Sequence, residues 1–440
     1  MDLNTEALVY HSTPVAGKLH VIPSKPCATQ HDLALAYTPG VAKPCLEIKD
    51  HPADVFRYTG KGNTVAVVSD GTAVLGLGNI GPEAGLPVME GKCVLFKRFA
   101  GIDAMPLCLT KVFGADGKTD AKKLIEAVET LEPTFGGINL EDIAAPACFE
   151  VETTLKKRMG IPVFHDDQHG TAIISLAALL NAAKLTGKKL SEMKVVGNGA
   201  GAAGLSCLEF YITAGVLREN VVVCDSKGVV TEATASNAAK RALATSRTDV
   251  HSLADAMKGA DVFLGCSVAN CVTEEMVRSM APGAVVFAMA NPTPEIMPDL
   301  AKKAGAAVVG TGRTDFPNQI NNVLGFPGIF RGALDVRATD ITQNMQLAAS
   351  YALAEIAQLP VEGEIREILT AAYPEDAAAG VFDGKNPLKE SYVIPKPFDP
   401  RVVPHVARFV AEAAMKDGVA KLAIDDLDAY EAEVARRIHG

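Results

Sequence analysis

Apolar residues recur along this chain in two rhythms, and the change between them falls near residue 194. Beyond that point the runs "KVVGNGAGAAG", "NVVVCDSKG", "ADVFLGCS", "GAVVFAMANPT" and "AAVVGTGRTD" are short, apolar and closed by small or polar residues, with helical segments between several of them. Such alternation predicts a parallel sheet wound with helices on both faces. Before residue 194 the pattern is more mixed. "TVAVVSDGTAVLGLG" (64–78) predicts two strands joined by a hairpin at Asp70-Gly71, and "KCVLFKRFAGIDAMPLCL" (92–109) predicts further strands. "DAKKLIEAVETL" (120–131) and "TAIISLAALLNAAKL" (171–185) predict helices. After about residue 340 the pattern is helical again, and "VIPKPFDPRVVP" (393–404) is a proline-broken connection ahead of a last helix.

Bulk properties narrow the class. A chain of 440 residues exceeds one ordinary core, so at least two domains are expected. A net charge of −10 and the lack of any Lys/Arg-rich run argue against nucleic-acid binding. Nine cysteines with no C-x-x-C pair predict neither a disulfide framework nor a zinc ribbon, and fit reduced thiols in the cytoplasm. The start "MDLNTEALVYHS" has no basic n-region or apolar h-region, so no signal peptide is expected. Apolar stretches break well before ~18 residues, so no membrane span is expected. A cytoplasmic enzyme is the expectation.

The strongest chemical signal is Gly199-Ala200-Gly201-Ala202-Ala203-Gly204. A lone G-x-G-x-x-G is weak, but this one follows the strand "KVVGN" and opens a helix, and Asp225 stands 21 residues beyond the last glycine at the end of the next strand. Gly199 permits the tight turn, Gly201 admits a pyrophosphate, and Gly204 lets the helix pack closely. The helix N-terminus then offers free N–H groups to the phosphates. Asp225 is expected to accept from ribose hydroxyls, with Ser267 of "GCS" and Asn291 of "NPT" lining the same crevice. Asp225 favours NAD by repelling a 2′-phosphate, whereas Lys227 could bind one, so NAD and NADP both stay open.

"FHDDQHG" (164–170) sets two aspartates between two histidines after an apolar run. Asp166 or Asp167 could cap the following helix, His165 and His169 could ligate zinc, or the carboxylates could hold a hard cation. Zinc is the weakest reading, because H-E-x-x-H needs a glutamate after the first histidine and both histidines within one helix. "GGINLEDIAAP" (136–146) adds a second pair, Glu141 and Asp142. Singly, such pairs are solvated helix starts; together, three carboxylates would make an oxygen cage for Mg²⁺ or Mn²⁺. Tyr37 precedes a Pro-Gly turn, and Lys92 precedes an apolar run where partial burial could lower its pKa. In isolation these are a half-buried phenol and a snorkelling lysine.

Together the blocks "AYTPGVA", "VLGLGNIG", "PVMEGKCVLFKRFAGIDA", "GGINLEDIAAP", "FHDDQHGTA", "GNGAGAAG", "AMANPTPE" and "INNVLGFPGIFRGALD" resemble the malic enzymes, most closely the smaller bacterial type. The likeness runs along nearly the whole chain, which ends without the phosphotransacetylase-like extension of some bacterial relatives. The resemblance implies oxidative decarboxylation of L-malate to pyruvate and CO₂ with NAD or NADP and Mg²⁺ or Mn²⁺. It implies Lys92 as general base, Tyr37 as general acid, and Glu141, Asp142 and Asp167 as metal ligands. Asp166 would pair with Lys92, and Asn291 and Asn322 would contact malate or the nicotinamide. Ala73 departs from the larger malic enzymes, which have a malate-binding arginine there. The expected organisation is an N-terminal α/β substrate and metal domain (1–165), a Rossmann-like doubly wound dinucleotide-binding domain (166–385) and a C-terminal helical segment (386–440), in a homodimer or higher homo-oligomer. Malolactic activity, a two-domain amino-acid dehydrogenase and a non-catalytic dinucleotide sensor are the alternatives.

Overall fold

The computed structural model describes residues 2–74 and 76–439. Its strands form two sheets. In the first, β1 (Thr64–Ser69), β2 (Asp103–Cys108), β3 (Gly137–Leu140) and β4 (Val163–His165) are parallel in the order β2-β1-β3-β4. The second contains β5 (Val195–Asn198), β6 (Val221–Asp225), β7 (Gly228–Val229), β8 (Val262–Gly265), β9 (Val285–Ala288) and β10 (Val308–Thr311), in the order β10-β9-β8-β5-β6-β7. It is parallel apart from the two-residue β7, which turns back on β6. This is the doubly wound sheet expected beyond residue 194, and the chain is α/β with C-terminal helices.

Alternation along the strands explains the apolar runs. Val65 and Val67 of β1 face one cluster of buried side chains while Ala66 and Val68 face another. In the second sheet Val195, Leu264 and Phe287 face one side, and Val196, Phe263 and Val286 face the other. A strand buried on both faces must be apolar throughout. Val65 and Leu264 belong to the same contiguous core, so the two sheets share it across the helix Asp166–Thr186, which is buried along most of its length.

Two expectations fail in the first half. Among the described residues no second strand follows Asp70 to make a hairpin. Residues 71–74 and 76–81 instead belong to a glycine-rich loop, in which Gly71 (φ 70°) packs so tightly that a Cβ would lie 2.2 Å from the Gly81 carbonyl oxygen. Lys92 also does not precede a strand: residues Pro82–Ala100 are one helix. The run "VLF" reads as a strand, but the buried positions Gly85, Met89, Cys93, Phe96 and Ala100 have helical spacing, with proline at the start and Gly101 (φ 64°) at the end. Phe96 then packs on Phe326 and Phe330, with ring centroids 4.7 and 5.2 Å away. The last helix is in fact two. Val402–Lys416 packs against the helices Phe326–Asp335 and Gln343–Ile356, and Leu427–His439 is tied down where Asp335 accepts from Tyr430 and Arg437.

Strand register places the chemistry. Leu140 lies opposite His165, and Val68 opposite Leu140, so Asp70, Glu141 and Asp166 leave the first sheet at one edge. In the second sheet Asn198 pairs with Cys224 and Gly265, and Gly265 with Ala288. The loops after β5, β6, β8 and β9 therefore share one rim.

Candidate active site

The acidic pairs meet because their strands are neighbours in register. Asp166 and Asp167 open the helix Asp166–Thr186, whose N-cap is His165 with no side-chain cap. Neither aspartate serves as the cap. Asp167 Oδ2 instead accepts the Asp142 N–H at 2.7 Å. Asp142 holds a left-handed φ of 55°, which Asp tolerates through its short polar side chain. The histidines do not converge on a metal either. His169 Nε2 lies 2.9 and 3.0 Å from the Glu152 oxygens, and Glu152 Oε1 also accepts the His165 N–H at 3.1 Å. Glu152 thereby holds the first turn that carries both aspartates.

Lys92 enters from the helix Pro82–Ala100, and its Nζ donates to Asp166 Oδ2 at 2.6 Å and to Glu141 Oε1 at 2.9 Å. It also stands 4.3 Å from the centroid of the Phe326 ring. Glu141 Oε2 accepts from Asn139. Burial opposes the ammonium, but Asp166 and Glu141 outweigh it and hold Lys92 above the ordinary lysine range. The lowered pKa expected from the sequence is not found, since burial here comes with two carboxylates. Burial, reinforced by Asp167, Asp166 and Asp142, pushes Glu141 well up against the pull of Lys92. Burial raises Asp166 likewise.

Four carboxylates around one ammonium leave an excess of negative charge, and hard oxygen donors with such an excess suit a divalent cation. Lys92 pairs with Glu141 and Asp166 here, and among the described residues Glu141, Asp142 and Asp167 do not offer three ligand atoms within 4.8 Å of one another. Among the described residues the trio that does meet this spacing is Glu47, His51 and Asp54, which is partly exposed and has Glu47 paired with Lys43. The charge of the cluster fits a metal, while in this geometry Glu141 is taken up by Lys92.

Asn322 belongs to the same cluster: its Nδ2 lies 3.4 Å from the Asp166 carbonyl oxygen, and its Oδ1 accepts from Thr171 at 3.1 Å. The Ala73 N–H donates to the Asp142 carbonyl at 3.0 Å, so a methyl group stands beside the acidic turn. Tyr37 is elsewhere. It ends the helix Gln30–Ala36 with 70% of its surface exposed, and no hydrogen bond or ring contact joins it to Lys92 among the described residues.

The dinucleotide motif has its three glycines in three different roles. A Cβ on Gly199 (φ 111°) would lie 2.2 Å from the Cys266 carbonyl oxygen, and one on Gly204 would lie 2.0 Å from that of Gly199. Gly201 has open space, which is what a ligand needs. The helix Ala202–Thr213 begins there without a side-chain cap, leaving N–H groups for a phosphate. Asp225 ends β6, and Lys240 Nζ donates to its Oδ2 at 2.6 Å while the Lys227 N–H donates to Oδ1 at 2.9 Å. Partial burial is outweighed by Lys240 and Lys227, which hold Asp225 below its usual range. Ser267 and Asn291 follow β8 and β9 on the same rim. Ser267 Oγ accepts from Asn198 at 2.8 Å and donates to the buried Glu295 at 3.0 Å.

Residues 16–156 match the family described as malic enzyme N-terminal domain, and residues 168–370 match the malic enzyme NAD binding domain. The chain belongs to the malic enzyme family. It is 52% identical to the NADP-dependent malic enzyme of Escherichia coli strain K12 over 98% of its own length and 54% of that protein. It is also 52% identical to the bifunctional malic/malolactic enzyme of Bacillus subtilis strain 168, over 98% of both chains. The crystal structure of malic enzyme from Pyrococcus horikoshii Ot3 superposes with a TM-score of 0.86 at 44% identity, covering 99% of this chain and 96% of that one. The chain spans about half the length of several of its curated relatives, E. coli's among them. Among the described residues no helix is long and apolar enough to cross a membrane.

Three residues escaped the sequence reading. Glu152 lies 13 residues before His165, on an otherwise ordinary amphipathic helix. Lys240 carries no local motif. Glu295 follows "NPTP" directly, and a lone acid after two prolines reads as solvated turn, whereas it is fully buried.

Proposed function

We propose that this chain oxidises and decarboxylates L-malate to pyruvate and CO₂, reducing NAD or NADP in the presence of Mg²⁺ or Mn²⁺. The observation that carries the reading is Lys92 held between Glu141 and Asp166 at the edge of the first sheet. A divalent cation bound by Glu141, Asp142 and Asp167 would supply Lewis acidity toward the hydroxyl and carboxylate oxygens of the substrate. Glu141 cannot serve that role and grip Lys92 equally. With Glu141 engaged by a cation, Lys92 would lose one of the two anions that keep it protonated and would become a better base. Lys92 would then take the C2 hydroxyl proton, and a bound NAD or NADP would supply the hydride acceptor for C2. Asp166 keeps the amine aimed, and Asn322 and Asn291 orient the substrate and the nicotinamide. After CO₂ departs, Tyr37 returns a proton to C3.

Tyr37 performs that step only if something brings it to Lys92. The helices among residues 3–58 bury no side chain, and Leu8, Val21, Ile22, Leu33 and Leu35 are exposed along with Tyr37. So much apolar surface on one segment supports an interface. We infer a homodimer in which this segment packs on a second copy and its Tyr37 completes the Lys92 site there.

Initial rates with L-malate, each cofactor and Mg²⁺ or Mn²⁺, with the product identified, test the reading. Pyruvate formed in step with NAD(P)H is expected. Lactate without net cofactor reduction would assign the malolactic reaction instead, and no turnover of malate would remove the proposal.

A further inference from the structure

Glu295 is fully buried beneath the rim of the second sheet. Its Oε1 accepts the Ser267 N–H at 2.7 Å and the Ser267 hydroxyl at 3.0 Å, and its Oε2 accepts the Ala290 N–H at 3.0 Å. The carboxylate thus joins the loops after β8 and β9. It packs so close under β8 that a Cβ on Gly265 would lie 2.5 Å from its Cδ. Among the described residues no lysine, arginine or histidine forms an ion pair with it. A buried anion is costly without a counter-ion, and hydrogen bonds offset only part of the cost.

Topology says what stands above it. Asp225 on β6 marks the adenosine end of the crevice, and the Gly199–Gly204 turn after β5 marks the pyrophosphate. Strand order continues from β5 to β8 and β9 on the side away from β6, so the other half of a dinucleotide lies over Ser267 and Asn291. That half is the nicotinamide, the one part of the cofactor that changes charge. It is a pyridinium cation when oxidised and a neutral dihydropyridine when reduced.

We propose that the buried charge of Glu295 acts on the nicotinamide through the loops after β8 and β9, so that its carboxylate makes this site favour the pyridinium over the dihydropyridine form. Resting on the dinucleotide reading of the crevice, this adds a preference for one redox state. The loop-tying role alone makes a different forecast, because slack loops weaken both forms alike. Charge acts on one form only. For unit charges about 10–12 Å apart and an effective dielectric near 20, losing the carboxylate changes the ratio of the two affinities by at least about tenfold.

The experiment is calorimetric titration of wild type and E295Q with NADP⁺ and NADPH, or with NAD⁺ and NADH if the wild type binds those better. In E295Q the Kd of the oxidised form should rise about tenfold more than that of the reduced form. Equal changes in both, or none in either, would overturn the proposal. A wild type that binds neither form would instead overturn the dinucleotide reading itself. If E295Q does not fold, the wild type carries the test with mononucleotides. Nicotinamide mononucleotide should bind several-fold more tightly than its dihydro form, and parity between them would overturn the proposal equally.

Discussion

Replacing Lys92 with methionine should expose how the acidic cluster is balanced. The methionine side chain keeps much of the aliphatic volume and the contact with Phe326 but removes the one ammonium among Glu141, Asp142, Asp166 and Asp167. The side chains involved are secluded, with Lys92 10% exposed, Glu141 7% and Asp166 0%. Removing one partner of a buried ion pair costs about 3–5 kcal/mol, and here two carboxylates lose their partner at once. A loss near the upper end, about 4–5 kcal/mol, is expected in EDTA. Asp166→Asn is the instructive contrast. It keeps an oxygen for Lys92 and removes one of four mutually repelling charges, so its cost should be at most about 1–2 kcal/mol, the scale of a weakened hydrogen bond to a charged group. Urea unfolding followed by circular dichroism measures both. Adding Mn²⁺ should then stabilise Lys92→Met more than wild type, because the ammonium no longer competes for Glu141 and a ligand stabilises according to its affinity. Equal stabilities of Lys92→Met and wild type in EDTA, with equal gains from Mn²⁺, would refute the charge-excess reasoning.

Glu152→Gln should weaken Mn²⁺ binding by about 10–100-fold, the usual effect of losing an outer partner of a metal ligand, since it loosens the turn bearing Asp167; calorimetry on the folded variant reads this directly. Lys240→Ala leaves Asp225 without its ion-pair partner and should raise the KM for NADP at least about tenfold while leaving that for NAD nearly unchanged; parallel changes would mean that Lys240 only braces the fold. Tyr37→Phe and Lys92→Ala proteins, each inactive, should recover activity when unfolded and refolded together, because a mixed dimer contains one site with both wild-type residues. A mixture as inactive as its parents would place Tyr37 and Lys92 in the same subunit, whereas a Tyr37→Phe protein as active as wild type would remove Tyr37 from the chemistry.

Legibility in the sequence tracked locality. Gly199, Gly201 and Gly204 lie within one strand–turn–helix unit, so their separate roles could be read from spacing alone. The acidic pairs were visible, yet their meeting depends on the pairing of Leu140 with His165, which no local pattern encodes. Lys92 was misplaced because Val94, Leu95 and Phe96 form a run that suits a strand. Only the wider spacing from Gly85 to Ala100 reveals a helix, and it is the helix that aims the amine at two carboxylates. Its expected pKa was wrong for a related reason: burial could be guessed from the neighbours, but the partners could not. Glu152, Lys240 and Glu295 work through long-range contacts and left no mark in their own segments. For Tyr37 the sequence supplies an apolar neighbourhood without saying which surface it faces.

The most direct test of Lys92 as the base is Lys92→Ala assayed with and without added primary amines. Its kcat should fall by at least ~10²-fold, the scale of a lost general base, with cofactor binding intact, and methylamine should restore part of the rate in a concentration-dependent way. A Lys92→Ala protein that oxidises malate at the wild-type rate would contradict the assignment. So would one that binds cofactor and metal normally yet gains nothing from any small primary amine.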